Sequence, residues 1–214
     1  MGKCTVRRVV LMPFTTNCYL ITNEDTKETL IVDPSIEHEK IDAQIAAHGL
    51  KPVAILLTHG HFDHILAAGP IAAKEKIPVY AYKGENALMQ DPHANRGSLP
   101  GPDCVLTADC EVSEGDTLEL AGFSIRVLYT PGHTAGSCCY YLPEEGVLFA
   151  GDTLFRLSYG RTDLPTGNPG QIVQSVRRLL SELPEDTVVL PGHMGSTTIA
   201  FEKQYNPLSE TAVW

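Results

Sequence analysis

The sequence has no basic run and no long apolar stretch, two features that nucleic-acid-binding and membrane proteins show. Its 214 residues contain 16 Lys and Arg against 26 Asp and Glu, which gives a net charge of −10. Tight nucleic-acid binding usually needs a basic surface, so we expect no nucleic-acid partner, although a bound metal would add local positive charge. No apolar stretch approaches the roughly 18 residues of a membrane span, so we expect no membrane partner either.

Targeting and disulfide signals are also missing. The segment MGKCTVRRVVLMPFTTNCYL has no continuous apolar core and no small-residue cleavage site, so we interpret it as the first strand and not as a signal peptide. A cytoplasmic protein is therefore expected. The six cysteines include no C-x-x-C pair, which favours reduced thiols. We expect Cys104 and Cys110, in a polar loop, to be the most exposed, and adjacent Cys138 and Cys139 to face opposite sides of a strand.

What the sequence does contain is an alternation of strand-like and helix-like segments, with 43% hydrophobic residues. Strands are predicted at 5–11, 17–22, 29–33, 53–58, 79–82, 117–120, 123–130, 137–142, 146–150 and 188–190, and helices at 36–48, 62–76, 85–90, 170–182 and 196–206. The motif VDPS (32–35) is predicted to form a turn and a helix cap. Strand 53–58 is wholly apolar, so we expect helices on both of its faces. This order predicts a four-layer α/β sandwich in one domain, residues 1–214.

The segment 83–104 is rich in Pro, Gly, Asn and Asp. It is predicted to be a long loop that contains only the short helix at 85–90. Because loops at the strand ends of such sheets carry binding residues, we expect this loop to overhang the functional site.

Four potential metal ligands follow strand 53–58 directly, in LLTHGHFDH: His59, His61, Asp63 and His64. Residues two apart in an extended segment point the same way, so His59 and His61 can bind one ion. Asp63 and His64 lie where the next helix begins and can serve a neighbouring ion. Imidazole and carboxylate suit Zn²⁺, with Fe and Mn as alternatives. Structural zinc sites are usually rich in cysteine, and none lies nearby, so a catalytic site is favoured.

Three further strands end in a potential ligand. His133, Asp152 and His193 each follow an apolar run and come directly after a glycine, which permits tight turns and close backbone approach. Four strand ends that carry His or Asp form a joint signal for one metal centre. The remaining histidines are interpreted as surface residues: His38, His48 and His93.

The motifs THGHFDH (58–64), PGHT, GDTLF and PGH together resemble the signature of the metallo-β-lactamase superfamily over nearly the whole chain. The resemblance implies an αββα sandwich with a two-metal site at the edge between two mixed β-sheets. It assigns His59, His61 and His133 to one ion, Asp63, His64 and His193 to the second, and Asp152 to a bridge between them.

Such a site implies hydrolysis of an acyl or phosphoryl bond. Two ions about 3.5–4 Å apart share a hydroxide that acts as nucleophile, and they polarise the oxygen under attack. The catalytic residues implied are Asp63, which can orient the hydroxide, and Asp152. Candidates for holding the ligating imidazoles are Thr58, Thr134 and Thr153, each with an ordinary strand-end hydroxyl as the alternative.

Within the superfamily, GDTLF, GRTDLP (160–165) and YNP (205–207) most resemble short bacterial glyoxalase II-like (hydroxyacylglutathione hydrolase-like) proteins. The implied substrate is a small-molecule acyl thioester. Candidate contacts to an anionic substrate group are Arg156, Tyr159 and Arg161, although Arg161 could instead pair with Asp163. Full-length glyoxalase II has an added helical domain with basic residues for glutathione. Here only residues 194–214 follow the last ligand, so the thiol carrier stays open.

Other activities are weighed against this one. β-Lactamases of this fold typically carry a cysteine at the position of Asp152, a basic residue that breaks the Asp-His pair, and an export signal, so antibiotic hydrolysis is not expected. RNA-processing members carry extra domains. A mononuclear-iron persulfide dioxygenase-like oxidoreductase and a lactonase or phosphodiesterase on the same site stay open. A binding module without activity is disfavoured because all seven ligands are intact.

Overall fold

Six strands of the N-terminal half form the first of two mixed sheets, in a computed structural model that describes residues 3–97 and 100–210. They lie in chain order: β1 (Cys4–Leu11), β2 (Thr16–Asn23), β3 (Glu28–Val32), β4 (Lys51–Leu56), β5 (Val79–Tyr82) and β6 (Cys110–Val112). Strands β1 to β3 pair antiparallel, and β3 to β6 pair parallel.

The second sheet has the order β14-β13-β10-β9-β8-β7. Its strands are β7 (Thr117–Leu120), β8 (Phe123–Tyr129), β9 (Cys138–Leu142), β10 (Val147–Gly151), β13 (Val188–Pro191) and β14 (Thr197–Thr198). Only β10 and β13 pair parallel. A short hairpin joins β11 (Leu154–Phe155) to β12 (Ser158–Tyr159).

Seven helices connect the strands of the described ranges. They are α1 (His38–His48), α2 (Phe62–Ile65), α3 (Ala68–Glu75), α4 (Asn86–Met89), α5 (Pro92–Arg96), α6 (Pro169–Glu182) and α7 (Ile199–Tyr205). The longest, α6, has 14 residues, and none of these helices has the length and apolarity needed to cross a bilayer. Helix α6 starts at Pro169 because the Asn168 side chain caps it, accepting hydrogen bonds from the backbone N–H of Gly170 and Gln171.

Alternation of side chains along the strands divides the interior into three apolar cores. In β2, Leu20 packs with the core beneath α1 and α3, whereas Ile21 packs between the two sheets. In β9, Tyr140 lies between the sheets, whereas Tyr141 packs with the core beneath α6. Full burial of such a side chain stabilises the fold by about 1.5–3 kcal/mol. The layers are therefore helix, sheet, sheet and helix, and the four-layer prediction is confirmed.

Strand β4 differs from its prediction on one face. Ile55 packs with the core under α1 and α3, but Leu56 packs between the sheets, against the second sheet and not against helices. A strand inside a sandwich is buried on both faces whichever layer covers it. A wholly apolar sequence therefore cannot tell a helix layer from a second sheet.

The predicted helix at 62–76 is two helices. Helix α2 ends at Ile65, and the Ala67 N–H donates a hydrogen bond at 3.0 Å to the carbonyl of Pro34, outside any helix. This contact with the loop after β3 redirects the chain before α3 begins at Ala68.

The segment 83–104 likewise contains two helices, α4 and α5, not one. The Asp91 carboxylate caps α5 by accepting from the backbone N–H of His93 and Ala94, and Asn95 is buried. The short strands β6, β11, β12 and β14 were not predicted, because two or three residues show no periodicity.

All six cysteines are free thiols. Cys104 and Cys110 are half-buried, less exposed than predicted, because Cys110 belongs to β6 and Cys104 packs against the core under α1 and α3. Cys138 and Cys139 do point to opposite sides of β9, one between the sheets and one under α6.

Candidate metal centre

The seven predicted ligands meet at one edge of the sandwich, because the strands before them end there. Strand β4 leads into His59 and His61, and α2 carries Asp63 and His64 one turn further on. The other three follow the ends of β8, β10 and β13: His133, Asp152 and His193. In the neighbouring strands β10 and β13, Gly151 pairs with Pro191, which sets two of these ligands side by side. The three histidines interpreted as surface residues are all exposed: His38, His48 and His93.

Three buried imidazoles, those of His59, His61 and His133, form the first group. One ligand atom from each lies within 4.8 Å of the others, and His61 Nδ1 is 2.9 Å from His133 Nε2. Burial lowers the pKa of His133, and it holds the pKa of His59 and of His61 well below the ordinary value. The three rings are therefore neutral at pH 7 and have lone pairs to offer.

Asp63, His64 and His193 form the second group. His193 Nε2 lies 3.2 Å from His64 Nε2 and 3.4 Å from Asp63 Oδ2. Burial raises the pKa of Asp63, but the charge of His64 and the hydrogen bond from His193 outweigh it, so the net pKa is well below the usual range. Asp63 is thus a carboxylate, the form that binds cations.

Asp152 lies between the two groups. Its Oδ1 is 3.5 Å from His64 Nε2, and its Oδ2 is 3.5 Å from the Nε2 atoms of both His133 and His193. One carboxylate therefore faces nitrogens of both groups. This position is compatible with the predicted bridge, which stays a prediction.

The donor set fits divalent cations on three counts. His59 Nε2 and Asp152 Oδ1 are buried without a hydrogen-bond partner among the described residues, which is costly for a polar atom unless something else binds it. The nitrogen pairs at 2.9 and 3.2 Å are close to the ~3.3 Å between two nitrogens on one tetrahedral zinc ion with bonds of about 2.0–2.1 Å. Imidazole and carboxylate are also the ligands of Zn²⁺, Fe and Mn sites.

Asp33 was missed as part of this site. Its oxygens accept hydrogen bonds from the Thr58 N–H at 2.8 Å, the Thr58 hydroxyl at 2.6 Å and His64 Nδ1 at 3.0 Å. Burial lowers the pKa of His64, but the carboxylates of Asp152, Asp63 and Asp33 outweigh it and raise the pKa to about 10. The bond to Nδ1 turns His64 Nε2 toward the centre, and a metal ion that binds there would displace the Nε2 proton. The VDPS motif thus supplies a site residue and not a helix cap, since α1 begins after Glu37.

Thr58 also contacts a ligand ring directly. Its Oγ1 is 3.1 Å from His59 Nδ1 while its hydroxyl donates to Asp33, so the Nδ1–H of His59 can donate to Oγ1. This leaves His59 Nε2 to face the centre. The Thr153 hydroxyl, by contrast, bonds to that of Thr130 at 2.9 Å and reaches no ligand ring.

Glu85 was also missed, and it links the two loops that carry the first group. The side chain is buried, and its Oε1 accepts hydrogen bonds from the Gly60 N–H at 2.8 Å and from the Thr134 hydroxyl at 2.7 Å. Burial raises the pKa of Glu85. The predicted contact of Thr134 with an imidazole is therefore replaced by a contact with this carboxyl group. Gly60 lies between two ligands and Thr134 directly follows a third, so Glu85 fixes their spacing. Because these two partners of Glu85 lie 25 and 49 residues away in the sequence, no local sequence pattern indicates the contacts.

A cleft of about 320 Å³ opens over both ligand groups. Besides ligands it is lined by Phe155, Ser158, Tyr159, Arg161, Leu164 and Met194. Tyr159 and Arg161 therefore lie in the cleft, and their contact with a substrate stays a prediction. The Arg161 backbone carbonyl accepts from His133 Nδ1 at 2.7 Å, and its guanidinium makes two hydrogen bonds, at 2.7 and 2.6 Å, to Asp163.

Arg156 does not line this cleft: the β11–β12 hairpin turns its side chain over the Phe201 ring, 5.2 Å from the centroid, and its contact with a substrate stays a prediction. The prediction that the segment 83–104 overhangs the site is wrong, because no described residue of that segment lines the cleft. That segment packs behind the site, where Gly101 lies against Phe62 of α2.

All three glycines before the ligands allow contacts that a Cβ would prevent; at Gly151 a Cβ would lie 2.3 Å from Thr58 Oγ1. Gly132 has φ 134°, and a Cβ there would lie 2.2 Å from the backbone nitrogen of Ile172. At Gly192 a Cβ would lie 2.3 Å from Asp152 Oδ1 and 2.6 Å from His64 Cε1. The close approach predicted at these positions is therefore present.

Comparison with known proteins agrees with this geometry. A family model described as the metallo-beta-lactamase superfamily matches residues 11–193. A probable metallo-hydrolase, YqgX, of Bacillus subtilis is 39% identical over 94% of this chain and 95% of its own length. The hydroxyacylglutathione hydrolase GloC of Haemophilus influenzae is 35% identical over 91% of this chain and 92% of its own length.

Solved structures show the same architecture. BLEG-1, described as a B3 metallo-beta-lactamase, has a TM-score of 0.91 and 38% identity, covering 96% of this chain and 100% of its own. TTHA1623 in a di-iron-bound form has a TM-score of 0.82 and 39% identity, covering 94% and 98%. ETHE1 from Myxococcus xanthus has a TM-score of 0.78 and 32% identity, covering 95% and 83%.

Proposed function

Because the chain belongs to the metallo-beta-lactamase superfamily, we propose that it is a two-metal hydrolase of small-molecule acyl thioesters, of the hydroxyacylglutathione hydrolase (glyoxalase II) type. Membership supports a metal-dependent hydrolase. The observation that carries the finer proposal is the convergence of two ligand groups on the shared carboxylate of Asp152, beneath an open cleft.

The residues that would hold the ions are those of the two groups. His59, His61 and His133 would hold one ion, and Asp63, His64 and His193 the other, with Asp152 between them. When bound, two divalent ions lower the pKa of a shared water toward neutral and polarise the acyl oxygen under attack. We propose zinc, with iron as the first alternative because the similar TTHA1623 structure is described as di-iron-bound, and manganese as the second.

We assign to Asp63 the orientation of the attacking water. It is ionised, because its pKa lies well below the usual range, and its Oδ2 faces His193 Nε2 at 3.4 Å. A carboxylate oxygen can accept a hydrogen bond from a water that also faces the acyl carbon. Asp33 and Thr58 contribute by holding the rings of His64 and His59, so that their Nε2 atoms keep a fixed direction.

The leaving group is constrained by the kind of proton donor in the described cleft, whose O–H donors are the alcohol of Ser158 and the phenol of Tyr159 and not a free carboxylic acid. Among the described residues that line it, the only carboxyl groups are those of Asp63 and Asp152, both assigned to ions. A thiol has a pKa near 8.5 and leaves as thiolate without a proton, whereas an amine or alkoxide leaving group needs a proton donor. This favours thioesters. The similarity to the Haemophilus influenzae protein named hydroxyacylglutathione hydrolase GloC supports the same choice.

A second candidate is β-lactam hydrolysis. It is favoured by the similarity to BLEG-1, which is described as a B3 metallo-beta-lactamase. The absence of a carboxylic acid free to protonate an amine in the described cleft argues against it.

The proposal is tested by a substrate panel on protein loaded with zinc or with iron. Thiol release is measured from S-lactoylglutathione, together with hydrolysis of a lactone, a phosphodiester and a chromogenic cephalosporin. Oxygen uptake is recorded with glutathione persulfide. We expect thiol release that is lost in Asp63→Asn, at unchanged fold by circular dichroism. No thioester turnover together with oxygen uptake would replace the hydrolase by the dioxygenase alternative, and cephalosporin turnover alone would favour the second candidate.

A further inference from the structure

A groove leaves the metal cleft beside His193 and crosses the face of β1. Its first part, about 560 Å³, shares His193 and Met194 with the cleft and contains Arg8 and Asn17. Its second part, about 500 Å³, shares Arg8 and Gly195 with the first and is also lined by Arg156. We name this surface the arginine groove and define it by Arg8, Tyr19, Arg156, Gly195 and Ser196.

The two arginines of the groove have no carboxylate partner among the described residues. In the part of the chain that the structure describes, Arg8 and Arg156 form no ion pair, whereas five other arginines do: Arg7, Arg96, Arg161, Arg177 and Arg178. Both guanidinium groups are exposed. The chain has a net charge of −10, so two such cations in one groove form a positively charged site on a protein that is negatively charged as a whole.

Both guanidinium groups are nonetheless held in place. Arg8 Nη1 donates a hydrogen bond at 3.3 Å to the backbone carbonyl of Met194, and Arg156 lies over the ring of Phe201. Neither contact neutralises the charge, and each reduces the side-chain entropy that an anion would otherwise have to overcome. Arginine binds carboxylate and phosphate oxygens with two parallel N–H donors.

The position of Arg8 beside a predicted metal ligand suits the carrier half of a thioester. Arg8 bonds to the residue next to His193, and consecutive Cα atoms are about 3.8 Å apart. A carrier as long as three extended residues spans about 10 Å, so its anionic end would reach Arg8 while the acyl carbon lies over the ligand groups. The apolar lining beyond, which includes Val147 and Leu190, suits methylene groups of the carrier.

We propose that the arginine groove binds the anionic thiol carrier of the substrate, with Arg8 as the near contact and Arg156 as the far contact. The inference rests on the proposed thioesterase function and names its substrate class: thioesters whose thiol carries a carboxylate or a phosphate. The two arginines determine specificity through KM and take no part in the chemical step.

The test compares one acyl group on three thiols. Lactoyl thioesters of glutathione, of coenzyme A and of uncharged N-acetylcysteamine are assayed with wild type, Arg8→Gln and Arg156→Gln. For at least one anionic carrier we expect KM to rise about fivefold in each variant and kcat to stay within about twofold. The uncharged substrate should not respond. The carrier that responds distinguishes carboxylate from phosphate recognition. Added salt should raise KM in wild type for the anionic carrier only.

Two variants exclude other causes. Arg126→Gln removes another exposed arginine that forms no ion pair within the described ranges, on β8 outside the groove, and should leave every KM unchanged. Arg8→Lys keeps the charge and a donor for Met194 and should recover most of the lost affinity. Metal content, measured for each variant, should equal that of wild type.

Failure of the groove and failure of the thioesterase proposal are distinguishable. Turnover of all three thioesters with the same KM in wild type, Arg8→Gln and Arg156→Gln would overturn the groove and leave the function standing. If no thioester turns over, the function fails, and calorimetry with the S-methyl derivatives of glutathione and coenzyme A decides on the groove alone. Equal binding by wild type and both variants, or no binding, would then overturn it.

Discussion

A single methyl group at Gly192 should disturb both ligand groups at once. A Cβ there would lie 2.3 Å from Asp152 Oδ1 and 2.6 Å from His64 Cε1. The φ of Gly192 lies outside the left-handed region, so alanine adds no backbone strain and the effect is purely steric. An ordinary contact needs about 3.4 Å, and the Asp152 carboxylate must therefore move by about 1 Å.

The size of the effect can be worked from this displacement. Overpacking of this kind costs about 1–3 kcal/mol, and each kcal/mol lowers Tm by about 2–4 °C in a chain of this size. We therefore expect Gly192→Ala to lower Tm by about 2–12 °C. A misplacement of about 1 Å at a reacting centre can lower kcat/KM about 100-fold, which is close to 2.7 kcal/mol.

The assay needs three readouts and one control. Tm, bound metal and kcat/KM for S-lactoylglutathione are measured on Gly192→Ala and on Gly69→Ala. At Gly69, in α3, a Cβ would meet only Leu106 Cδ1 at an ordinary 3.6 Å, and alanine is favourable in a helix. We expect Gly69→Ala to match wild type. A Gly192→Ala protein with wild-type metal content and wild-type rate would refute the view that Asp152 and His64 have to stay in place.

Four further predictions concern stability, its pH dependence, metal removal and thiol reactivity. Glu85→Ala leaves the Gly60 N–H without its partner and the Thr134 hydroxyl with only the Ser137 hydroxyl, so urea titration should show about 1–3 kcal/mol less unfolding free energy, with a smaller loss in Glu85→Gln. Because burial raises the pKa of Glu85, the native state keeps this proton to higher pH than the unfolded state. Metal-free wild type should therefore lose stability relative to Glu85→Gln as pH rises above about 4.3, and parallel pH profiles would contradict this. Removal of the metal by a chelator should lower Tm by about 8–16 °C relative to protein whose ion is present at about 1,000 times its Kd. An unchanged Tm would count against tight binding. Burial raises the pKa of Cys139 to about 11, so little of this thiol is in the reactive thiolate form at pH 8. After treatment with iodoacetamide at pH 8, mass spectrometry should find Cys139 unalkylated in native protein and alkylated in urea. Rapid alkylation of native protein would contradict its burial.

The ligand residues could be predicted from sequence because each one is local to a strand end. His133, Asp152 and His193 come after apolar runs and directly after a glycine. The strand ends lie together at one edge of the sandwich, so the ligands next to them lie together as well. The residues that support the ligands could not be predicted this way. Asp33 reaches His64 across 31 residues and Glu85 reaches Thr134 across 49, and no spacing rule covers such contacts.

The surroundings of the site were predicted less well, for a related reason. Arg156 is four residues from Asp152 in the sequence, yet the two-residue strands of the β11–β12 hairpin turn it toward Phe201. The segment 83–104 has the composition of a loop, but Asp91 caps a helix within it and Asn95 is buried behind the site. Composition indicates turns and does not say against which surface the chain packs.

The number of metal ions per chain tests the central claim most directly. Protein is dialysed to saturation against zinc, freed of unbound ions and counted by inductively coupled plasma mass spectrometry, in wild type and in His193→Ala. Two intact ligand groups predict two ions in wild type. They predict one in His193→Ala, because the first group, His59, His61 and His133, is untouched. A single ion in saturated wild type, with the same single ion in His193→Ala, would contradict the two-metal account.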